Sequence, residues 1–328
     1  MKHQSDILAL KYRPKDFSDL IGQEYLVDTI QKSIQLNKIP NAYIFTGIRG
    51  VGKTTTARIV AKMLNCTAFD NSNKPDLLNC EQAKAITEDR HPDVIEIDAA
   101  SNTSVENARE IIENVKYNPV LGKYKVYIID EVHMLSKSAF NALLKTLEEP
   151  PPHSKFIFAT TEISKVPITI LSRCQRFDLR RIDKKVLSLF LETIANKENI
   201  LIEKEALNLI VKSSDGSVRD ALSILDQANV FKLEETIKTE EIINMLGYSK
   251  LSDLYDLSKN ILENNLTDLI SKLETMYQRG SETSKILEDL MNIINWSCKL
   301  KINSNLMKDE FLTEDDKNFA SYVTQYDH

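Results

Sequence analysis

The stretch Gly47-Ile48-Arg49-Gly50-Val51-Gly52-Lys53-Thr54 fits the phosphate-binding loop pattern G-x-x-x-x-G-K-[ST] at every fixed position. Ahead of it, Asn41-Ala-Tyr-Ile-Phe-Thr46 is an apolar run of strand length. Behind it, Thr54 to Leu64 carries helix formers with apolar residues at helical spacing. A strand, a glycine-rich turn and a helix start let backbone N–H groups and the positive end of the helix surround an anion. The pattern predicts an ATP site in an α/β fold. Lys53 would reach the β- and γ-phosphates and the Thr54 hydroxyl would hold Mg²⁺, inside a cradle of Gly47, Ile48, Arg49, Gly50, Val51, Gly52 and Thr55.

Such a loop needs an acid on a neighbouring strand. Lys125-Val-Tyr-Ile-Ile129-Asp130-Glu131 supplies it: apolar β-formers ending in two carboxylates read as a buried strand that delivers charge to the sheet's carboxyl edge. Asp130 is expected in the Mg²⁺ shell and Glu131 against the attacking water. Ser136 to Glu148 reads as a helix stopped by Pro150-Pro-Pro152. Lys155-Phe-Ile-Phe-Ala-Thr160-Thr161 is a further buried strand. Thr161 is either a contact to the γ-phosphate or water, or an ordinary strand-end threonine.

Other segments leave two readings open. Tyr12-Arg13-Pro14 either walls an adenine pocket or packs as an N-terminal arm. Asp93 to Asp98 is strand-like, and Ser101-Asn102-Thr103-Ser104 before the amphipathic stretch Val105 to Asn114 is a helix N-cap that could also hold a DNA phosphate. Arg173, in Ser172-Arg173-Cys174, is a surface cation or an arginine finger acting on a neighbour's nucleotide. Arg219 reaches a phosphate or pairs with Asp220.

The chain has 328 residues, 42% hydrophobic and 27% charged, which is room for two or three domain cores. No apolar run approaches the ~18 residues of a membrane span, and the N-terminus lacks a signal-peptide core, so a cytoplasmic location is expected. Four cysteines give no disulfide framework, and a net charge of −6 argues against nonspecific coating of nucleic acid by the whole chain. Beyond Lys184 strand signals fade. Leu187, Phe190, Leu191 and Ile194, then Val218, Ala221, Leu222 and Leu225, make helical stripes. Past Gly247 the helices are longer, with apolar positions Leu254, Leu257 and Ile261, then Leu269, Leu273, Met276 and Tyr277, then Ile286, Leu290, Ile293 and Ile294. They suggest a packing or oligomerisation module. The expected division is 1–183, 184–246 and 247–328.

Taken together, Tyr12-Arg-Pro, Ile21-Gly-Gln, the loop at Gly47, Val94-Ile-Glu-Ile-Asp-Ala-Ala-Ser-Asn, Tyr127-Ile-Ile-Asp-Glu-Val-His-Met-Leu, Phe140-Asn-Ala-Leu-Leu-Lys-Thr-Leu-Glu-Glu-Pro-Pro, Ser172-Arg-Cys and Gly216-Ser-Val-Arg-Asp-Ala-Leu resemble the gamma/tau subunits of bacterial DNA polymerase III over roughly residues 8 to 230. These are clamp loaders of the AAA+ class. The resemblance implies a five-stranded parallel sheet with helices on both faces, then a helical lid and a helical collar. It also implies an ATPase, without polymerising activity of its own, that joins related subunits in a pentameric ring, opens the sliding clamp and loads it on primer-template DNA. By position, Lys53 and Thr54 match Walker A, Asp130 and Glu131 Walker B, Thr161 sensor 1, Arg219 sensor 2 and Arg173 the finger acting in trans. Lys145 resembles a residue linking DNA binding to hydrolysis.

Two departures stand out. The family's four zinc cysteines are reduced here to Cys66 and Cys80, with Leu77 and Ala83 at the expected partner positions, so no zinc is predicted. The chain also stops at His328, so an incomplete collar, and a fragment of a longer protein, are expected. The readings that compete with a loader are a ring subunit that binds ATP without turnover and an AAA+ motor of branch migration.

Overall fold

The computed structural model describes residues 7–68, 76–77, 79–101, 105–231, 235–246, 251–278, 283–302 and 314–325. Its apolar runs pair as one parallel sheet of β1 (Ala42–Thr46), β2 (Val94–Asp98), β3 (Lys125–Asp130), β4 (Ser154–Thr160) and β5 (Gln175–Asp178), in the order β2-β3-β4-β1-β5. Parallel strands need long crossovers, and helices supply them on both faces. β1 and β4 are buried throughout, as a central strand covered on both sides must be.

Successive residues of a strand point to opposite faces. On one face Tyr43, Phe45, Val126, Ile128 and Ile157 pack against α2 (Glu24–Gln35), α3 (Lys53–Asn65) and α4 (Glu81–Thr87), which follow the N-terminal turn α1 (Leu8–Lys11). On the other, Ala42, Ile44, Tyr127, Ile129, Phe156 and Phe158 meet α5 (Val105–Val115), α6 (Lys137–Glu148) and the short α7 (Ile168–Leu171). Each fully buried Ile or Phe contributes about 1.5–3 kcal/mol. Two separate apolar layers therefore clamp the same sheet and fix its register.

The helix read from Ser136 opens on a capping serine. Ser136 Oγ accepts from Ala139 N at 3.1 Å and opens α6, which ends before the Pro150 run. The cap residues Asn102, Thr103 and Ser104 ahead of α5 lie outside the described residues.

The chain divides into two compact units, 1–190 with 214–223, and 191–213 with 224–328. α8 (Lys184–Lys197) and α10 (Val218–Phe231) run through both divisions. The second unit holds the short strand β6 (Leu201–Ile202), α9 (Lys204–Ser213), β7 (Thr236–Ile237), α11 (Thr239–Met245), α12 (Leu251–Leu262), α13 (Leu266–Gln278), α14 (Thr283–Ile302) and α15 (Glu314–Gln325). β6 and β7 form a parallel two-residue pair that helical periodicity did not announce. Two-residue runs are too short to show a period. Of the predicted apolar positions in the later helices, Leu254, Leu257, Met276, Ile286 and Ile293 are buried, while Ile261, Tyr277 and Ile294 are exposed. Among the described residues, no helix is long and apolar enough to cross a membrane.

One buried carboxylate anchors the entry to β3. Asp93 accepts from the N–H groups of Val120, Leu121 and Gly122, each at 2.7 Å. Burial pushes its carboxyl up, but the N–H groups of Gly122, Val120 and Leu121 outweigh that and hold it below the usual range. A depressed pKa is stabilisation that is complete above the unfolded value and lost as pH falls through the folded one. Asp93→Ala is expected to lower the unfolding free energy at pH 7 by about 2–4 kcal/mol in denaturant titrations. The gap from wild type should close as pH drops below about 4.

Candidate functional site

The parallel register brings strand ends to one edge. Thr46 lies opposite both Thr160 and Asp178, and Ile129 opposite Phe158, so β1, β3 and β4 finish together. Residues 47–52 leave β1 at that edge and turn into α3. Gly50 has φ 75° and Gly52 φ 109°, backbone that a side chain adopts only under strain. At Gly50 space forbids a side chain as well. A Cβ there would lie 2.1 Å from Ser217 Oγ, and Ser217 is buried with its hydroxyl held by Asp220 N at 3.2 Å. The backbone of Arg219 closes the same contact by donating to Gly50 O at 3.3 Å.

Lys53 is 5% exposed, and its ammonium donates to the carbonyls of Gly47 (3.1 Å) and Ile48 (3.0 Å). Burial pulls it below the usual lysine range, while Glu131 and Asp130 pull it back. A cation folded onto its own loop in this way is poised to exchange two carbonyls for an anion. Thr54 Oγ1 donates to Asp130 Oδ2 at 2.6 Å, joining residues 76 apart in sequence. A hydroxyl and a carboxylate are hard oxygen donors, the set that suits Mg²⁺.

Glu131 follows Asp130 with φ 46° and ψ 46°, left-handed backbone that is uncommon for a non-glycine residue. Its Oε2 accepts from Thr161 N at 3.1 Å and Thr161 Oγ1 at 2.9 Å. Such strain concentrates where function demands a fixed direction. Tight against this pair sits His133, a residue to which sequence reasoning gave no role. Its Nδ1 lies 3.0 Å from Thr160 Oγ1 and 3.3 Å from Glu131 Oε2. Only the folded register of β3 and β4 reveals that contact.

Of the remaining predicted residues, Arg13 joins the loop: its Nε donates to Thr55 Oγ1 at 3.2 Å. Burial, then the charge of Arg58, lowers its pKa. Tyr12 is half-buried one residue before it, Arg49 is exposed, and Val51 is buried under the loop. The Arg219 side chain is exposed beside the turn that its backbone pins. Arg173 is not brought in. It sits at the surface, bonded to Glu148 and to Thr169 O, and shares no hydrogen bond or ion pair with Lys53, Thr54, Asp130 or Glu131. Lys145 is exposed on α6.

Cys66 and Cys80 lie in the core beside α3 and α4, with Leu77 and Ala83 buried in the same apolar cluster. Cys66 Sγ donates to Ala68 O at 3.1 Å. Burial pushes Cys66 up to about 12; at Cys80 burial acts the same way but is outweighed by the Ala83 N–H and the Cys66 thiol, which bring it down to about 7. Two sulfurs facing a leucine and an alanine do not fit a four-ligand zinc site. Residues 69–75 and 78 lie outside the described set.

Comparison with known proteins adds three family matches in chain order. The model described as "DNA polymerase III, delta subunit" matches residues 22–183, "DNA polymerase III clamp loader subunit, ATPase lid domain" matches 187–231, and "DNA polymerase III subunits gamma and tau domain III" matches 237–325. The tau subunit of DNA polymerase III from Salmonella typhimurium is 42% identical over 88% of this chain and 44% of its own length. The chain thus spans less than half of that relative. The gamma subunit from Buchnera aphidicola subsp. Schizaphis graminum is 40% identical over 98% of this chain and 88% of its own length. Among solved structures, the Holliday junction branch migration motor RuvB of Thermotoga maritima superposes with a TM-score of 0.54 at 18% identity, covering 85% of this chain and 91% of that one. At that identity the likeness concerns the fold alone.

Gly50→Ala is expected to cost about 1–3 kcal/mol in thermal unfolding, from positive φ and overlap with Ser217. Adding Ser217→Gly should recover part of it. Elemental analysis of the purified protein should find no stoichiometric zinc.

Proposed function

The chain belongs to the gamma and tau subunit family of bacterial DNA polymerase III, and from that premise we propose that it is the ATP-hydrolysing motor subunit of a replicative clamp loader. It opens the sliding clamp and loads it on primer-template DNA, inside a pentameric ring of related subunits. The observation that carries this reading is the Thr54–Asp130 contact at 2.6 Å, with Glu131 next in the chain and Lys53 buried in the loop. A phosphate cradle, a hydroxyl and carboxylate for a hard cation, and a second acid for water are the parts of a nucleotide triphosphatase. The proposed division is a nucleotide-binding domain 1–183, a lid 184–246 and a collar 247–328; the three family matches support that order, with the third beginning at residue 237, inside the proposed lid.

Each residue has a task in this scheme. Lys53 exchanges the Gly47 and Ile48 carbonyls for β- and γ-phosphate oxygens, and the backbone N–H groups of the loop take the rest. Thr54 and Asp130 would hold Mg²⁺, which when bound neutralises charge on the transferring phosphate. Glu131 polarises the attacking water through its carboxylate, and Thr161 keeps that carboxylate turned to the site. Arg219, anchored to Gly50 by its backbone, extends its guanidinium toward phosphate from the start of α10. Tyr12 and Arg13 flank the nucleotide on the side of Thr55. Arg173, exposed and bonded to Glu148, acts on the nucleotide of the neighbouring subunit, a contribution worth about 10³–10⁵ in rate.

The competing readings fare worse on specific grounds. A subunit that binds ATP without turnover needs Lys53 but has no use for a strained and anchored Glu131. A branch-migration motor shares the fold, but at 18% identity against 42% for the tau subunit.

Lys53→Ala should abolish nucleotide retention. Glu131→Gln should retain ATP while hydrolysis falls about 10²–10⁴-fold. Arg173→Ala should remove clamp- and DNA-stimulated hydrolysis in the assembled ring, with ATP binding by the isolated subunit intact. Phosphate release measured with sliding clamp and primer-template DNA, or with junction DNA alone, decides the class. Turnover driven by junction DNA without any clamp would overturn the loader reading.

A further inference from the structure

His133 is the middle residue of the 3₁₀ turn Val132–Met134 that follows Glu131, a turn closed by Met134 N donating to Glu131 O at 2.9 Å. Its side chain is only 6% exposed, with Nδ1 turned toward Glu131 and Nε2 toward Glu162. Nδ1 lies 3.0 Å from Thr160 Oγ1 and 3.3 Å from Glu131 Oε2, and Nε2 lies 3.4 Å from Glu162 Oε1. Glu162 is fixed in turn: its N–H donates to Thr160 Oγ1 at 3.0 Å, and Lys165 pairs with its carboxylate at 2.8 Å. The charged groups around the ring are therefore Glu131 on its own turn and, from the segment after β4, Glu162 with Lys165 behind it.

One detail separates this cluster from ordinary packing. Two hydrogen bonds, from the Thr161 N–H and the Thr161 hydroxyl, converge on a single carboxylate oxygen, Glu131 Oε2, and His133 Nδ1 lies 3.3 Å from the same oxygen. Among the described residues no hydrogen bond reaches Oε1. Anchoring one oxygen of a carboxylate sets the direction of the other, and the efficiency of a general base depends on that direction. The left-handed backbone of Glu131 leaves its side chain dependent on such outside restraint.

We propose that His133 is a positioning residue for hydrolysis: its imidazole, held between Thr160 and Glu162, fixes the Glu131 carboxylate so that Oε1 is presented to the attacking water. This rests on the reading that the chain hydrolyses ATP. His133 shares no hydrogen bond with Lys53, Thr54 or Asp130; it acts through Glu131 and ties that acid to the end of β4 through Thr160.

The test measures kcat and ATP affinity separately in the full chain assembled with its ring partners, for His133→Ala, His133→Asn and His133→Gln. Asparagine reproduces a polar atom near the Nδ1 position, whereas glutamine reaches only toward Nε2. His133→Ala should lower kcat about tenfold with ATP affinity changed less than about twofold, as loss of orientation without loss of binding requires. His133→Asn should return kcat to within about threefold of wild type, and His133→Gln should stay near the alanine level. If the alanine protein does not fold, the gap between asparagine and glutamine gives the same answer. Equal kcat in all variants, or kcat and affinity falling together, overturns the inference. Wild type and Glu131→Gln in the same assay keep the two readings apart: no turnover in wild type removes the ATPase assignment and the His133 role with it, and turnover that Glu131→Gln leaves untouched removes Glu131 as the base, and the His133 role, but not the ATPase. Turnover that needs Glu131 but ignores His133 removes only the His133 role.

Discussion

The hydrogen bond from Thr54 to Asp130 is the constraint on which the site depends. Its two residues belong to elements that are not neighbours in the sheet, since β4 lies between β1 and β3. For the bond to form, the start of α3 has to lean across the end of β4, and the three strands have to finish at one level. Both conditions follow from the parallel register, which the two apolar layers hold by burying alternate residues of the same strands. A one-residue slip would turn every side chain to the wrong face, so the core fixes the alignment that the chemistry uses.

The loop and its acids are individually costly. Lys53 is buried with carbonyls, and among the described residues no paired carboxylate, around its ammonium, Glu131 has left-handed backbone, and Gly50 leaves no room for a side chain. An isolated helix start could not sustain this combination. A sheet closed on both faces can, because its own stability is decoupled from the edge where the strain sits. Arg13 adds a further unfavourable charge: burial first, then Arg58 and Arg219, lower its pKa. An anion with several negative charges would relieve that repulsion and the desolvation of Lys53 together.

Much of this was legible in the sequence, and the unread remainder has a common cause. Strand runs such as Lys125 to Asp130 and the helix beginning at Lys53 declare themselves through composition and period, and a loop motif carries its own chemistry. Contacts between residues far apart in sequence do not. Nothing local links Gly50 to Ser217, 167 positions away, or His133 to Glu162; those pairings exist only after the strands have found their order. The β6–β7 pair escaped for a different reason, being too short to leave a pattern. Arg173 shows the converse case. Its motif is local and plain, yet the chain gives it no partner in its own site.

That last point bears on how one fold serves different machines. The likeness to RuvB extends over most of the chain at 18% identity, so the fold is common property. What can differ is what the surface offers a neighbour. An arginine held by Glu148 at the edge of the nucleotide domain is a cation already paired, and it can be drawn to a phosphate only if the incoming charge exceeds that of one carboxylate. A triphosphate meets that condition and an exposed acidic side chain does not. In the proposed ring, such an exchange of partners would make coupling between subunits conditional on nucleotide, with no change in the fold that holds either one.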